Sequence, residues 1–484
     1  MGEDLSTFIK FGTDGWRGII GFDFNFNNLK KVVVASCQEL KYQFSETVQT
    51  NKILIGYDRR FMAEEFAKSI IPFIKACDLE PILSNEFVTT PACSLYVKDF
   101  NFLGALIITA SHNPYNWLGL KIKSFKGCSV NESFTKNVEQ RLKLGNITTP
   151  IGGKYTKIDI KKYHLEKIKL SFNTEFISNK LKKMRLKVFV DSMHGSASQI
   201  LNVIFGEGAS DFLSSIRNNR DPYFDGNPPE PLEDYLEKLR NILKHESKDG
   251  IKTLGIIFDG DGDRISVIDE NGRYCSSQIL LPYFIDYLGR KNKNSYSVIK
   301  TVSGSDIIKN ISEQQNRQVY ELPVGFKFIS EKMLSEQIFI GGEESGGIAF
   351  GEFLPERDAL FAAMVLLNGI AEESNYLCNS LDKIQQEFGP SFYDRVDISF
   401  PNNSQKKILK DFILKNHPKE ICSFPVKDIS MVDGIKFRID KNYWILFRFS
   451  GTEPLLRIYC EATSKDLLEK TLLWSQNFVS KLVA

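Results

Sequence analysis

Apolar and polar positions along the chain fall into two alternating patterns. Short continuous apolar runs of strand length are separated by longer segments of helical period, the signature of α/β units built around a sheet. Three of these runs, KILIGYDRR at 52–60, LKVFVDSMHG at 186–195 and SYSVIKTVSGSD at 295–306, each stop at small or polar residues. Each is followed by a second run of the same kind: GALIITASHNP at 104–114, LGIIFDGDGDR at 254–264 and QIFIGGEESGG at 337–347. Three times an apolar strand runs into a loop dense in Ser, Asp, Glu or Gly, and the carboxyl ends of strands are where open α/β sheets bind ligands. The pattern predicts three related α/β domains. After Gly389-Pro390 it changes to VDISF, IKFRID and YWILFRFS followed by a helical segment from about 464, a smaller α+β unit. Junctions fall at NITTPIGGKY, near Asn271-Gly272 and at Phe388-Gly389-Pro390, giving expected domains 1–152, 153–273, 274–388 and 389–484. The Lys/Asn-rich pieces KNKNS and PNNSQKK are expected to be solvated loops.

A chain of 484 residues is too long for one core, so several domains are required in any case. Its 62 basic and 60 acidic residues leave a formal charge of +2, with no basic run, which argues against a nucleic-acid partner. The eight cysteines are dispersed and form no C-x-x-C pair, as in a reducing compartment. No 18-residue apolar span is present and the opening MGEDLSTFIK lacks the features of a signal peptide, so a cytoplasmic protein without a membrane partner is expected.

DGDGDR at 259–264 carries the strongest chemical signal. Asp259, Asp261 and Asp263 alternate with small residues that let the backbone bend, which can aim three hard oxygen ligands at one cation of the magnesium type. An EF-hand is excluded because Arg264 occupies its required glycine and the flanks are strand-like. A polar hairpin turn is the plain alternative. TASHNP at 109–114 places Ser111 beyond a strand end, where its hydroxyl needs a base or metal to act, and a helix N-cap is the competing reading. GEESGG sets Glu343 and Ser345 in a glycine frame suited to gripping sugar hydroxyls, or forms an exposed acidic turn. FRFSGTEPLLRIY offers Ser450, Gly451 and Thr452 between Arg448 and Arg457, a nest for a phosphate dianion, though Arg448 on a strand could be merely solvated. Arg17 in GTDGWRG and Lys327 in VGFKFI each lie beside glycine.

Together and in this order, the segments resemble the α-D-phosphohexomutases, the family of phosphoglucomutase and phosphomannomutase. The resemblance implies three α/β domains with mixed sheets and a C-terminal α+β, TATA-binding-protein-like domain around a central cleft. It implies an enzyme phosphorylated on Ser111, with one Mg²⁺ held by Asp259, Asp261, Asp263 and a phosphoserine oxygen. The implied activity interconverts hexose 1-phosphate and hexose 6-phosphate through a hexose 1,6-bisphosphate, with glucose favoured and mannose possible. Glucose 1,6-bisphosphate would be activator and intermediate, and the chain a monomer or small homo-oligomer. Arg17, Lys121 and His112 are then expected to act beside Ser111. Arg264, Lys327, Glu343, Ser345, Arg448, Ser450, Gly451, Thr452 and Arg457 are expected to bind substrate. Two positions depart from the family pattern: Gly347 stands where some members end the sugar loop with histidine, and Leu118 precedes Gly119 where asparagine is usual. Glu344 is similar to glucose-directed members. A hexose-bisphosphate synthase is the near alternative, and a non-catalytic phosphosugar-binding protein or a metal-dependent phosphatase the more distant ones.

Overall fold

The computed structural model describes residues 9–145, 149–292, 294–400, 403–450 and 454–483. Its contacts divide the chain into two compact units: 1–277 with 330–335 and 345–378, and 278–329 with 336–344 and 379–484.

The first unit holds two mixed sheets. In chain order the strands of the first are β1 (Trp16–Ile19), β2 (Lys52–Tyr57), β3 (Glu80–Ser84), β4 (Gly104–Ile108), β5 (Trp117–Ser124) and β6 (Thr156–Ile158), arranged β1-β5-β4-β2-β3-β6. Strands β2, β3, β4 and β6 are parallel neighbours, whereas β5 returns antiparallel to β4 and β1 antiparallel to β5. Burial on both faces explains the continuous apolar runs: Ile53 and Ile55 enter one core with the helix Phe26–Val48, and Leu54, Ala105 and Ile107 enter the other with Thr90–Asp99. The register pairs Tyr57 with Ile108, so β2 and β4 leave the sheet level with one another. Arg60 and Ser111 each lie three residues beyond these matched ends.

The second sheet contains β7 (Leu186–Asp191), β8 (Leu213–Ile216), β9 (Lys252–Phe258), β10 (Ile265–Ile268) and β11 (Tyr274–Cys275), ordered β11-β10-β9-β7-β8. Phe258 pairs with Ile265, so DGDGDR is the turn of the antiparallel β9–β10 hairpin. The polar-hairpin reading holds, and it does not exclude a metal loop, because the three aspartates of the turn are buried.

In the second unit, β12 (Ser297–Thr301), β13 (Val319–Leu322) and β14 (Ile338–Gly342) form a parallel set ordered β13-β12-β14. The short strand β15 (Ile348–Phe350) belongs to the first unit. Beyond it, β16 (Phe392–Ser399), a hairpin of β17 (Glu420–Ile421) and β18 (Phe424–Pro425), β19 (Asp428–Ser430), β20 (Ile435–Asp440), β21 (Tyr443–Phe449) and β22 (Leu455–Ala462) follow. Five of these make an antiparallel sheet, β16-β22-β21-β20-β19, packed on the helices Asn403–Lys415 and Lys465–Val483. The α+β expectation holds, but one loop assignment does not. PNNSQKK is not a solvated loop beyond Asn402: the helix begins at Asn403, and its Leu409 and Ile413 are buried in the core. No helix among the described residues is long and apolar enough to cross a membrane.

Candidate active site

Ser111 does not cap a helix, because the chain turns and enters β5 at Trp117. It adopts φ 51, a left-handed conformation that favours glycine, so the surrounding structure must hold it there. Arg60 does this. Its buried guanidinium donates to the carbonyls of Ser111 and Asn113, both at 2.6 Å, and to those of Pro114 at 2.9 Å and Trp117 at 3.2 Å. Asp58 lies 3.4 Å from Arg60 Nε. Burial pushes the Asp58 carboxyl up to about 6 despite that cation.

The hydroxyl of Ser111 donates to Asp259 Oδ2 at 2.9 Å, which joins the serine loop to the β9–β10 turn. Asp259 Oδ1 accepts from the backbone N–H groups of Asp263 and Arg264, closing the turn on itself. Gly260 is required here, since a Cβ on it would lie 2.5 Å from the Ser111 carbonyl oxygen. Thr90 fixes the middle residue: its N–H donates to the Asp261 carbonyl at 2.9 Å and its hydroxyl to Asp261 Oδ2 at 2.5 Å.

Three buried carboxylates in one turn are costly unless compensated. Lys121, projecting from β5, sits 2.8 Å from Asp261 Oδ2, 2.8 Å from Asp263 Oδ2 and 2.9 Å from Asp14 Oδ2. Arg357 adds a second cation at 2.6 Å from Asp14 and 2.9 Å from Asp263. Burial alone would push the Lys121 ammonium down, yet Asp14, Asp261 and Asp263 together hold it above its usual range. Burial likewise opposes ionisation of Asp261, but Lys121, Thr90 and Arg357 keep its carboxyl well below the usual carboxylate range. Asp259 is the exception: burial, with Asp263 and Asp261 beside it, pushes its carboxyl well up. The ligand atoms of Asp259, Asp261 and Asp263 lie within 4.8 Å of one another. Asp261 Oδ1 and Asp263 Oδ1 are buried without a hydrogen-bond partner. An all-oxygen donor set with orphaned oxygens fits a hard divalent cation.

His112 Nδ1 is 3.4 Å from Ser111 Oγ, and its far nitrogen is 3.9 Å from Glu230, which also faces Arg264 at 3.5 Å. Burial, reinforced by Arg264, Arg17, Lys121 and Arg60, pushes the His112 imidazole well below its ordinary value, so the ring is neutral. Arg17, on β1 opposite Gly119, donates to Asn113 Oδ1 at 2.5 Å. The first unit thus gathers Ser111, His112, Arg17, Lys121, Asp259, Asp261, Asp263 and Arg264. Ser345 belongs to the same unit, and its neighbours Gly346 and Gly347 bond to the backbone at Ile265 and Arg264.

The remaining expected residues lie in the second unit. Glu343 is buried at the end of β14, and Lys327 stands in the first turn of the helix Phe326–Ser335. Glu344, two residues past β14, accepts from the Thr301 hydroxyl at 3.0 Å. Arg448 and Arg457 are direct cross-strand partners on β21 and β22, and Ser450 follows β21. Arg448 is not merely solvated: Asp433 accepts from its Nε at 2.7 Å. Like charges directly opposite on one sheet face repel, so the pair is suited to an anion. Gly451 and Thr452 lie outside the described residues.

Asp14, Arg60, Glu230 and Arg357 were not singled out from the sequence. Asp14 lies in the same GTDG segment as Arg17, and Arg60 ends the DRR that follows the first strand run. Arg357 lies in PERD, with no glycine frame or strand end to mark it.

A strand-end serine hydrogen-bonded to a buried acidic triad is suited to metal-assisted group transfer. Comparison with known proteins narrows this class. The phosphoglucomutase/phosphomannomutase α/β/α domains I, II and III match residues 9–146, 162–272 and 276–388, and the C-terminal domain of the same family matches 408–472. A phosphoglucomutase/phosphomannomutase of Thermococcus kodakarensis is 28% identical over 94% of this chain and 95% of its own. A phosphoglucosamine mutase of Acetivibrio thermocellus is 27% identical over 96% and 97%. Among solved structures, a candidate phosphomannomutase from Thermus thermophilus superimposes with a TM-score of 0.84 at 26% identity, covering 98% of this chain and 99% of that one. The chain belongs to the phosphoglucomutase/phosphomannomutase family and is a phosphohexomutase.

Proposed function

We propose that the chain interconverts hexose 1-phosphate and hexose 6-phosphate through phosphorylated Ser111, with gluco-configured sugars as substrates. The observation that carries this reading is Ser111 Oγ, 2.9 Å from Asp259 in a turn with two orphaned carboxylate oxygens. In the forward half-reaction the bond from phosphorus to Ser111 Oγ breaks and a bond to O6 of hexose 1-phosphate forms. His112, whose Nδ1 is 3.4 Å from Oγ, would take the O6 proton, whereas Lys121 is held charged by three carboxylates and would act as a fixed cation. The bisphosphate then reorients, and Ser111 recovers a phosphoryl group from O1, releasing hexose 6-phosphate. Asp259, Asp261 and Asp263 would hold a Mg²⁺ ion, which when bound would supply positive charge to the phosphoryl oxygens. Arg17 and Arg264 add charge on the protein side. Arg448, Arg457, Ser450, Gly451, Thr452 and Lys327 would bind the phosphate that is not reacting, and Glu343 and Ser345 the sugar hydroxyls.

Glucose and glucosamine phosphates differ only at C2, and relatives of both kinds of name are similar to this chain over nearly its full length. Glu344 supports glucose first. Glucose 1,6-bisphosphate would serve as intermediate and activator. The eight cysteines, none of them in a disulfide, suit a reducing compartment, and we place the activity in the cytoplasm. Mutase assays on glucose 1-phosphate, mannose 1-phosphate and glucosamine 6-phosphate, with intact mass before and after phosphatase, test the reading. Ser111→Ala should lose the phosphatase-sensitive mass and turnover on every sugar; a fully active Ser111→Ala enzyme would sink the assignment.

A further inference from the structure

His194, Asp221 and Asp225 form a second cluster of potential ligands in the first unit. His194 lies three residues past the end of β7, and the two aspartates lie in the loop after β8, which is the parallel neighbour of β7. The His194 ring is 4% exposed. Its Nδ1 is 3.0 Å from the Asn219 carbonyl oxygen. A carbonyl can only accept, so Nδ1 carries the hydrogen. Nε2 then carries either a lone pair or, in the imidazolium, a second hydrogen. It is buried without a hydrogen-bond partner, and Asp225 Oδ2 lies 3.2 Å away. Nε2 and a carboxylate oxygen this close need something positive between them, a proton or a metal ion.

The other groups facing this point do not supply that charge. Asp221 accepts from the backbone N–H groups of Tyr223 and Asp225, both at 2.9 Å, and these bonds hold its carboxyl below the usual range. Lys238 reaches only the outer side of Asp225, at 3.5 Å, and is largely exposed. The ligand atoms of His194, Asp221 and Asp225 lie within 4.8 Å of one another. A zinc-class ion with bonds of about 2.1 Å holds tetrahedral ligands roughly 3.4 Å apart, close to the 3.2 Å between Nε2 and Asp225 Oδ2. A metal-bound histidine ordinarily donates its other N–H to a carbonyl or carboxylate, which is what Nδ1 does here.

We propose that His194, Asp221 and Asp225 bind a second divalent cation of the zinc class, with water filling the shell on the exposed side. This cation would tie together two loops that buttress the active site. Next to His194, the Ser196 N–H donates to the Gly260 carbonyl at 2.9 Å. Next to Asp221, Arg220 donates to the carbonyls of Arg59 at 3.0 Å and Arg60 at 3.1 Å, and Arg59 donates back to the Asn218 carbonyl at 2.9 Å.

Zinc binding to the full chain, measured by equilibrium dialysis and elemental analysis in excess Mg²⁺, tests the site. The expected result is one zinc equivalent in the wild type, retained by Asp263→Asn and weakened roughly tenfold or more in His194→Gln and Asp225→Asn. Asp225→Asn alters a partly exposed side chain and carries the test if His194→Gln misfolds. Equal zinc affinity in Asp225→Asn, or no zinc bound by the wild type, overturns the proposal. So does a His194 ring that titrates as an imidazolium beside Asp225 and whose NMR signals ignore added zinc.

Discussion

Replacing Arg60 with methionine removes four hydrogen bonds and an ion pair from a buried position while keeping much of the side chain's length. Breaking a buried pair by deleting one partner costs about 3–5 kcal/mol, because the other charge is left uncompensated. Here Asp58 limits the loss. Burial already raises its carboxyl to about 6 with Arg60 present, so without Arg60 it takes a proton near neutral pH and does not remain a buried anion. The carbonyls of Asn113, Pro114 and Trp117 are in part-buried bonds and can rehydrate, whereas that of Ser111, in a buried bond at 2.6 Å, is the main loss. The expected destabilisation is therefore about 3–4 kcal/mol, a large share of the 5–15 kcal/mol typical of a domain. The effect on turnover has a separate origin. Holding Ser111 at φ 51 stores about 1–3 kcal/mol of backbone strain, which the loop releases once the clamp is gone. A displacement of about 1 Å in a reacting atom costs on the order of 100-fold in rate. Urea denaturation at pH 7 reads the first quantity and kcat/KM with Ser111 phosphate occupancy the second. Arg60→Lys, with three donors on a point charge in place of a planar fork, should fall between the two enzymes. A methionine variant within 0.5 kcal/mol of wild-type stability, or with unchanged kcat/KM, would refute the clamp (the threshold being about the scatter of neutral substitutions).

Gly260→Ala should cost about 1–3 kcal/mol in a melt and reduce turnover, since its Cβ meets the Ser111 carbonyl at 2.5 Å and Pro229 at 3.0 Å. Gly152→Ala, with open space around it, is the control expected to change neither, and equal effects at both positions would dismiss the contact. In the second unit, burial and the neighbouring Lys300 lower the Lys436 ammonium to about 7. Between that value and about 10.4 the unfolded chain binds the extra proton, so stability should rise with pH by up to about 1.4 kcal/mol per unit. Lys436→Met should abolish this rise, and parallel urea midpoints for both proteins from pH 7 to 9 would show that Lys436 is not the source.

The strand runs were legible because strands buried on both faces need unbroken apolar sequence, as in GALII and LGIIF. The three aspartates were legible for a different reason: the ligands of one turn are neighbours in sequence. Arg60 was not, because its partner Ser111 is 51 residues away and meets it only through the Tyr57–Ile108 register. Arg357 is farther still, 343 residues from Asp14. Such partners leave no local spacing to detect. The helix at Asn403 was missed because its first turn is polar, and only Leu409 and Ile413 reveal its buried face.

Charge compensation links these distant residues to the chemistry. Asp14, Asp259, Asp261 and Asp263 bring four carboxylates into one buried region, with Lys121 and Arg357 in close contact and Arg264 3.9 Å from Asp263. The carboxylates outnumber these cations, and a divalent cation would offset the difference. The raised Asp259 carboxyl is the local sign of that deficit: burial and two neighbouring aspartates make its ionised form the least favoured of the three. A phosphoryl group on Ser111 would then add about two negative charges, and Arg17, Arg60 and Arg264 are cations whose fields reach this region. Lys121 is thereby committed to charge balance. Deprotonating it would strip the positive partner from three buried carboxylates at once, which makes it unsuited to act as the base that activates a sugar hydroxyl. His112 is under no such constraint: burial, with Arg264, Arg17, Lys121 and Arg60 around it, lowers its imidazole, in keeping with the proton-accepting role proposed for it.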